Sequence, residues 1–158
     1  MKTFTDNANR SWNISVTVDA IKRVRSLLDV DLMQAASGKL IQQLADNPVL
    51  LCDVIYCVIK PQADEREITD EQFGAAMAGD AIDQATSAFL EDLVNFFPSR
   101  KREMLQKVLV KLKNLEAIAT EVVSKRLDSP ELDRRLQETI AGGLSGNSPE
   151  SSESTPQP

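Results

Sequence analysis

Apolar and polar residues alternate near the start of the chain, over residues 2–5 and again over residues 11–18. In the second segment every second residue from Trp12 is apolar, which is typical of a strand buried on one face. The residues between the two segments are mostly Asp and Asn, which favour turns. The pattern predicts a β-hairpin over residues 2–18. Because two strands alone are marginally stable, we expect the hairpin to pack on helices or to pair with another copy.

The hydrophobic period changes to that of amphipathic helices from Asp19, which is a candidate N-cap. The first predicted helix ends near Asp29, and a second covers residues 40–46. The apolar face of the first helix would consist of Ile21, Val24, Leu27 and Leu28.

A nearly continuous apolar run follows over residues 49–59, interrupted only by Asp53. Periodicity alone does not distinguish a central helix from a buried strand in such a run. Asn47 and Pro48 before the run are typical of a helix start, and Pro61 after it is typical of a helix end. These flanking residues favour a helix that stops before the second proline. We expect Asp53 to lie on a narrow exposed strip of that helix.

Capping signals divide the following segment into two further helices. Thr69 and Gln72 form a capping-box pattern, which predicts a short helix reaching Met77. Another helix begins at Asp80 after a glycine and is closed by Pro98. The apolar face of this second helix would consist of Ile82, Ala85, Phe89, Leu93 and Phe96.

The longest predicted helix runs from Ser99 to about Leu127, and a final helix begins at Pro130 and stops at Gly142 and Gly143. Along the long helix, apolar residues recur at alternating intervals of three and four residues, as in the seam of a coiled coil. The residues of this seam are Leu105, Val108, Leu112, Leu115, Ala119 and Val122.

The end of the chain, residues 142–158, contains Leu144 as its only large apolar residue and is otherwise rich in Ser, Pro, Gly and Glu. Such a segment buries too little apolar surface to offset its ordering entropy, so it is predicted to be disordered. The predicted fold is therefore mostly α. It comprises a compact helical domain over residues 1–141 that includes the N-terminal hairpin, followed by the disordered tail over 142–158.

The composition restricts the chemistry that the protein can perform. The 158 residues include no His and only two Cys, which excludes His-dependent catalysis and Cys/His zinc sites. The spacing of Cys52 and Cys57 fits neither a redox pair nor a zinc pair. Neighbouring carboxylates such as Asp80 and Asp83 fit a solvated helix face better than an acid–base site. We therefore expect a non-enzymatic protein without a cofactor, a metal site or a small-molecule substrate.

The charge and hydropathy patterns bear on location and partners. The net charge is −6, which is unfavourable for coating nucleic acid. The longest apolar stretch has 11 residues, whereas a membrane span needs about 20. The N-terminus lacks the apolar core of a signal peptide. The pattern predicts a cytoplasmic protein that does not enter a membrane.

One basic patch stands apart from this acidic background. Residues 99–113 contain six Lys or Arg and one Glu, so this helix could bind nucleic acid or a partner protein. No aromatic residue is interleaved with the basic ones, which argues against stacking on single strands. A small helical regulator or nucleic-acid-binding adaptor that uses residues 99–113 is the alternative to the function given below.

Several short motifs follow one another in an order that resembles the tail assembly chaperones of long-tailed bacteriophages and related prophage-like elements. The resemblance covers roughly residues 3–98. The motifs are Phe4-Thr5-Asp6, Arg10-Ser11-Trp12-Asn13-Ile14, Val18-Asp19-Ala20-Ile21-Lys22-Arg23-Val24, Lys60-Pro61-Gln62, Thr69-Asp70-Glu71-Gln72-Phe73, Gly79-Asp80-Ala81-Ile82-Asp83 and Phe96-Phe97-Pro98.

The resemblance implies a small, helix-rich and non-enzymatic protein in the host cell cytoplasm. Members of the family coat the tape-measure protein during tail assembly and recruit tail-tube subunits, and many exist in a short form and a longer frameshifted form. The implied partners are therefore a tape-measure protein, a tail-tube protein and further copies of the same chain.

A chaperone of this kind needs apolar helix faces for its client, and two adjoining faces supply the candidate contact residues. Each of them also has a competing interpretation as core. If they form a contact surface, replacing Phe97 by Asp should abolish client binding and leave the fold intact. The candidates are Phe89, Leu93, Phe96, Phe97, Leu105, Val108 and Leu112.

Overall fold

A computed structural model describes residues 1–144 and confirms the mostly helical fold with an N-terminal antiparallel hairpin. The chain divides into two compact units, one over Met1–Val110 and one beginning at Lys111. In chain order the elements are β1 (Lys2–Thr5), β2 (Ser11–Ile14), α1 (Val18–Leu28), a 3₁₀ helix (Leu32–Ser37), α2 (Lys39–Asp46), α3 (Pro48–Glu65), α4 (Asp70–Ala75), α5 (Asp80–Phe96), α6 (Ser99–Leu127) and α7 (Pro130–Leu144).

The hairpin pairs β1 with β2 in antiparallel register, with Phe4 opposite Trp12. Strand β2 ends at Ile14, earlier than the predicted residue 18. The backbone leaves the ladder because the N–H of Val16 donates to the Asp92 carboxylate at 2.7 Å. Helix α1 then begins at Val18, and the residue that caps it is Thr17 rather than the predicted Asp19.

The outer edge of β2 is closed by a side chain instead of a third strand. The Asn13 N–H donates to Oε1 of Gln62 at 3.0 Å, and Nε2 of Gln62 donates to the Asn13 carbonyl at 2.7 Å. These two hydrogen bonds, one to the Asn13 N–H and one to its carbonyl, take the place of the backbone hydrogen bonds that a neighbouring strand would form. The side chain of one α3 residue therefore fixes where the hairpin lies on that helix.

The apolar run forms a helix, as its flanking residues predicted, but α3 does not stop at Pro61 and continues to Glu65. A proline within a helix lacks the N–H that would bond the carbonyl four residues earlier, here that of Cys57. The Arg23 guanidinium on α1 supplies the missing donor. Its Nη1 lies 2.9 Å from the Cys57 carbonyl and 3.2 Å from that of Val58. A contact between two helices thus allows α3 to pass through the proline.

The structure confirms some of the remaining predictions on helix ends and contradicts others. The capping box of Thr69 and Gln72 is present, although α4 ends at Ala75 and does not reach Met77. Helices α5 and α6 have the predicted bounds. Helix α7 continues through the glycine pair to Leu144, so residues 142–144 are helical and not part of a tail. The rest of the predicted disordered tail lies outside the described residues.

The core of the first unit is built around Phe73 on α4. Its ring meets those of Phe4 and Trp12 edge to face, at centroid distances of 6.4 and 5.7 Å, and lies 5.6 Å from that of Tyr56. Edge-to-face pairs add to the free energy gained by burying the rings. One aromatic cluster therefore joins both strands, α3 and α4.

The role given to Arg23 predicts a specific loss of stability. Replacing Arg23 by Met leaves the Cys57 carbonyl unpaired, so the free energy of unfolding should fall by about 1–3 kcal/mol in urea denaturation. The control Lys22→Met, at an exposed position of the same helix, should change it by less than about 0.5 kcal/mol. In a Pro61→Ala background, the backbone N–H restored at position 61 can donate to the Cys57 carbonyl. The loss in the free energy of unfolding caused by Arg23→Met should therefore be smaller in that background. An equal cost in both backgrounds would contradict this account.

Candidate interaction surface

The structure separates the seven candidate contact residues into two groups. Phe89, Leu93, Phe97 and Leu105 are buried, so the prediction that they present a contact surface is wrong for this fold. The regular spacing identified one face of each helix correctly, but spacing does not reveal whether the same chain covers that face. The half-buried members are Phe96, Val108 and Leu112.

Phe97 illustrates why its group is structural. The residue ends α5 in an extended conformation, and its N–H donates to the Val94 carbonyl at 3.2 Å. Its own carbonyl accepts from Nε of Arg102 at 3.3 Å, and its ring meets that of Phe96 edge to face. Only 1% of Phe97 is exposed. It therefore holds the turn between α5 and α6 and is not available to a client.

Exposed apolar side chains are concentrated instead in the second unit. Between Lys111 and Leu144 every Leu, Ile and Val is exposed except Leu112 and Leu132, which are half-buried. Neither helix segment of this unit has a buried residue. The exposed residues are Leu115, Ile118, Val122, Val123 and Leu127 on α6, and Leu136, Ile140 and Leu144 on α7.

These residues form a stripe on each helix. On α6 the seam continues from Leu112 at intervals of three and four residues, so it follows the helix axis closely. On α7 the interval is always four residues, from Leu132 to Leu144, so the stripe turns by about 40° at each step. Exposed apolar residues of this size and number are typical of protein-contact sites. The spacing of apolar residues in the sequence predicted the seam, but it did not predict that the seam is exposed.

The basic residues 99–113 lie mainly on the surface. Arg100, Lys101 and Lys107 are exposed, while Arg102 is half-buried and donates to the Phe97 carbonyl. The patch is therefore accessible in part, which leaves the alternative function open to test.

The polar groups of the first unit are arranged to support the fold. Asp6 is only 3% exposed, and its carboxylate accepts four hydrogen bonds. Oδ1 accepts from the backbone N–H of Ala8 and Arg10, and Oδ2 accepts from Nε of Arg10 at 2.7 Å and Nε1 of Trp12 at 2.8 Å. Burial alone would raise the pKa of Asp6. The bonds from Trp12 and Arg10 and the charge of Arg10 outweigh burial and hold this pKa below its ordinary value.

Neither thiol nor the isolated carboxylate of α3 has the surroundings of a reactive group. Burial, followed by the charge of Asp53, raises the pKa of Cys52 and Cys57, which keeps both thiols protonated. Asp53 is half-buried, and burial and the nearby Asp70 raise its pKa. Among residues 1–144, no three His, Cys, Asp or Glu side chains converge as a metal site would require.

One open cleft of about 360 Å³ lies between β1 and α5. Lys2, Thr3, Asp83 and Ser87 contribute to its polar wall, and the Lys2 ammonium forms an ion pair with Glu91 at 2.8 Å. Two of the charges on its rim, those of Lys2 and Glu91, are thus paired with each other.

Comparison of the chain with protein-family models, with curated proteins and with solved structures found no match. In the part of the chain that the structure describes, no helix is both long and apolar enough to cross a membrane.

The burial of Phe97 reverses the expected effect of its substitution. Phe97→Asp places a charge in the core and should lower the free energy of unfolding by more than about 4 kcal/mol, with loss of helicity in circular dichroism. The matched change Leu136→Asp on exposed α7 should cost less than about 1 kcal/mol. A fully helical, stable Phe97→Asp variant would contradict the placement of this ring in the core.

The Asp6 carboxylate predicts a pH dependence of stability. Because its pKa is lowered on folding, its contribution is fully present above the ordinary Asp value of about 4 and is lost as pH falls through the lower pKa of the folded state. Asp6→Asn should therefore cost about 1–3 kcal/mol near neutral pH in urea denaturation, and the difference from wild type should narrow in acid. The exposed-site control Asp83→Asn should shift stability by less than about 0.5 kcal/mol. A constant difference down to the lowest pH would be inconsistent with an ionised Asp6.

Proposed function

We propose that the protein is a non-enzymatic tail assembly chaperone of a long-tailed bacteriophage or a related prophage-like element. It binds the tape-measure protein through an apolar helix face and helps to recruit tail-tube subunits in the host cell cytoplasm. The motif order over residues 3–98 supports the family assignment, and the exposed stripe on α7 supports the binding mode.

The observation that carries the proposal is the exposure of the α7 stripe. Leu136, Ile140 and Leu144 are 53%, 64% and 83% exposed, and no α7 residue is buried. A row of large aliphatic side chains on one side of a helix is the form in which helices bind apolar grooves or other helices. The small size of the stripe favours a contact that forms and releases, as a chaperone requires.

The other side of α7 is equipped to keep the helix formed without a client. Arg135 Nη2 lies 2.9 Å from a Glu131 carboxylate oxygen, and Arg134 Nε lies 3.8 Å from one of Glu138. Pairs of this spacing each contribute a few tenths of a kcal/mol to an exposed helix. Because the chain carries a net charge of −6, electrostatic repulsion also opposes aggregation through the exposed stripes.

The first test is capture of the partners from the native source. The tagged protein should retain, after nuclease treatment, one very long helix-rich protein and one β-rich tube-forming protein, both identified by mass spectrometry. Co-expression should then keep the long protein soluble, whereas expressed alone it should aggregate. Failure of the long protein to bind the purified chain would overturn the proposal.

The contact surface is tested with matched variants of α7. Leu136→Asp combined with Ile140→Asp should weaken binding of the purified long protein by about a hundred-fold, because two apolar contacts are replaced by charges. Gly142→Asp adds a charge about 160° around the helix from both Ile140 and Leu144, where an added side chain meets nothing within 4 Å, and should weaken binding less than about three-fold. Circular dichroism should show equal helicity in both. If both variants weakened binding of the long protein equally, the contact would not lie on the stripe.

A salt series separates this function from the alternative one. Binding of nucleic acid by the exposed basic residues Arg100, Lys101 and Lys107 would weaken steeply as salt rises, whereas apolar contacts would not. Partners that disappear on nuclease treatment, and binding that falls with salt, would favour the adaptor function of residues 99–113.

A further inference from the structure

The seam on α6 is a second exposed surface, separate from the α7 stripe. In the second unit it comprises Leu112, Leu115, Ala119 and Val122, of which Leu115 is 62% and Val122 46% exposed. A repeat of 3.5 residues keeps a seam facing the same direction only when the helix coils around a partner helix of similar pitch. The spacing therefore points to a helical partner that runs alongside α6.

The residues beside the seam identify that partner. Lys111 precedes Leu112 on one flank of the seam, and Glu116 follows Leu115 on the opposite flank. In a parallel, in-register pair of α6 helices, a residue on the first flank meets the residue five positions later on the other copy. Lys111 thus meets Glu116 of the second copy, and one heptad further on Ile118 meets Val123 of that copy. The first pair joins opposite charges, and the second joins two apolar side chains.

We propose that residues 111–125 of α6 pair with the same segment of a second copy as a parallel, in-register, two-stranded coiled coil. Reversing one helix would bring Lys111 alongside Lys125 of the other copy, which is a pair of like charges. The pairing also covers Ile118 and Val123, which are 56% and 55% exposed in the single chain. The inference goes beyond the proposed function and does not depend on it, because no client takes part.

Disulfide trapping tests the orientation on the purified chain. Leu115→Cys places equivalent thiols within disulfide reach across a parallel pair, so mild oxidation should convert most of the protein to a covalent dimer. Ala117→Cys, on the opposite side of the helix, should give little dimer. The wild-type chain measures the background from Cys52 and Cys57. An antiparallel pair with Lys111 alongside Lys125 would instead place Leu115 opposite Ala119, so it would cross-link a mixture of Leu115→Cys and Ala119→Cys chains, and that result would overturn the proposal.

Charge reversal tests the register. In sedimentation equilibrium, Lys111→Glu should raise the dissociation constant of the dimer by about ten-fold, since it places two Glu residues together. Adding Glu116→Lys should restore the wild-type value, whereas Ser124→Glu, away from the seam, should have little effect. No recovery in the double variant would contradict the register, and a monomeric wild-type chain at all concentrations would contradict the dimer itself. These readouts use no client, so they stand or fail separately from the proposed function.

Discussion

The Asp6 carboxylate is the constraint on which the first unit depends. An ionised carboxylate buried without partners costs several kcal/mol, so all four of its donors must be in place when the hairpin packs. Two of those donors are the backbone N–H groups of Ala8 and Arg10, which set the path of the turn. A third is the Trp12 indole, whose orientation is thereby fixed. The turn and the largest core side chain are consequently determined together.

Trp12, whose orientation Asp6 fixes, connects the hairpin to the helices. Its ring packs on Phe73 of α4, and the Arg66 guanidinium lies 4.7 Å from its centroid while donating to the Ser11 carbonyl at 2.8 Å. Arg10, which already bonds Asp6, also donates to the Gln72 carbonyl on α4. Asp92 plays a similar part on α5, where it accepts from Val16 and pairs with the N-terminal ammonium at 3.1 Å. Directional polar bonds, rather than apolar burial alone, thus place the helices around the hairpin.

Local signals were sufficient for most element ends, because a cap or a change of period acts within a few residues. The Thr69 capping box and the start of α3 at Pro48 are of this kind. Local signals failed where the decisive partner is distant in sequence. The sequence predicts that α3 ends before Pro61, whereas α3 continues, and Arg23 on another helix supplies the hydrogen-bond donor that the proline lacks. The prediction that Phe97 is a contact residue was wrong for a related reason. The helical period identifies an apolar face, but it does not show whether the same chain buries that face.

The second unit shows the complementary case, in which nothing in the described chain covers the apolar faces. The helical segments of this unit offer too little volume to enclose their own side chains, and exposed stripes of this kind are typical of contact surfaces. The two stripes also differ in geometry. The seam on α6 keeps one direction and suits a helix running beside it, whereas the four-residue spacing on α7 turns by about 40° per step and suits a partner crossing at an angle. Under the two proposals above, a like chain would cover the α6 seam and a client would contact the α7 stripe. One short chain can in this way multiply its client contacts by self-pairing without either surface competing for the other.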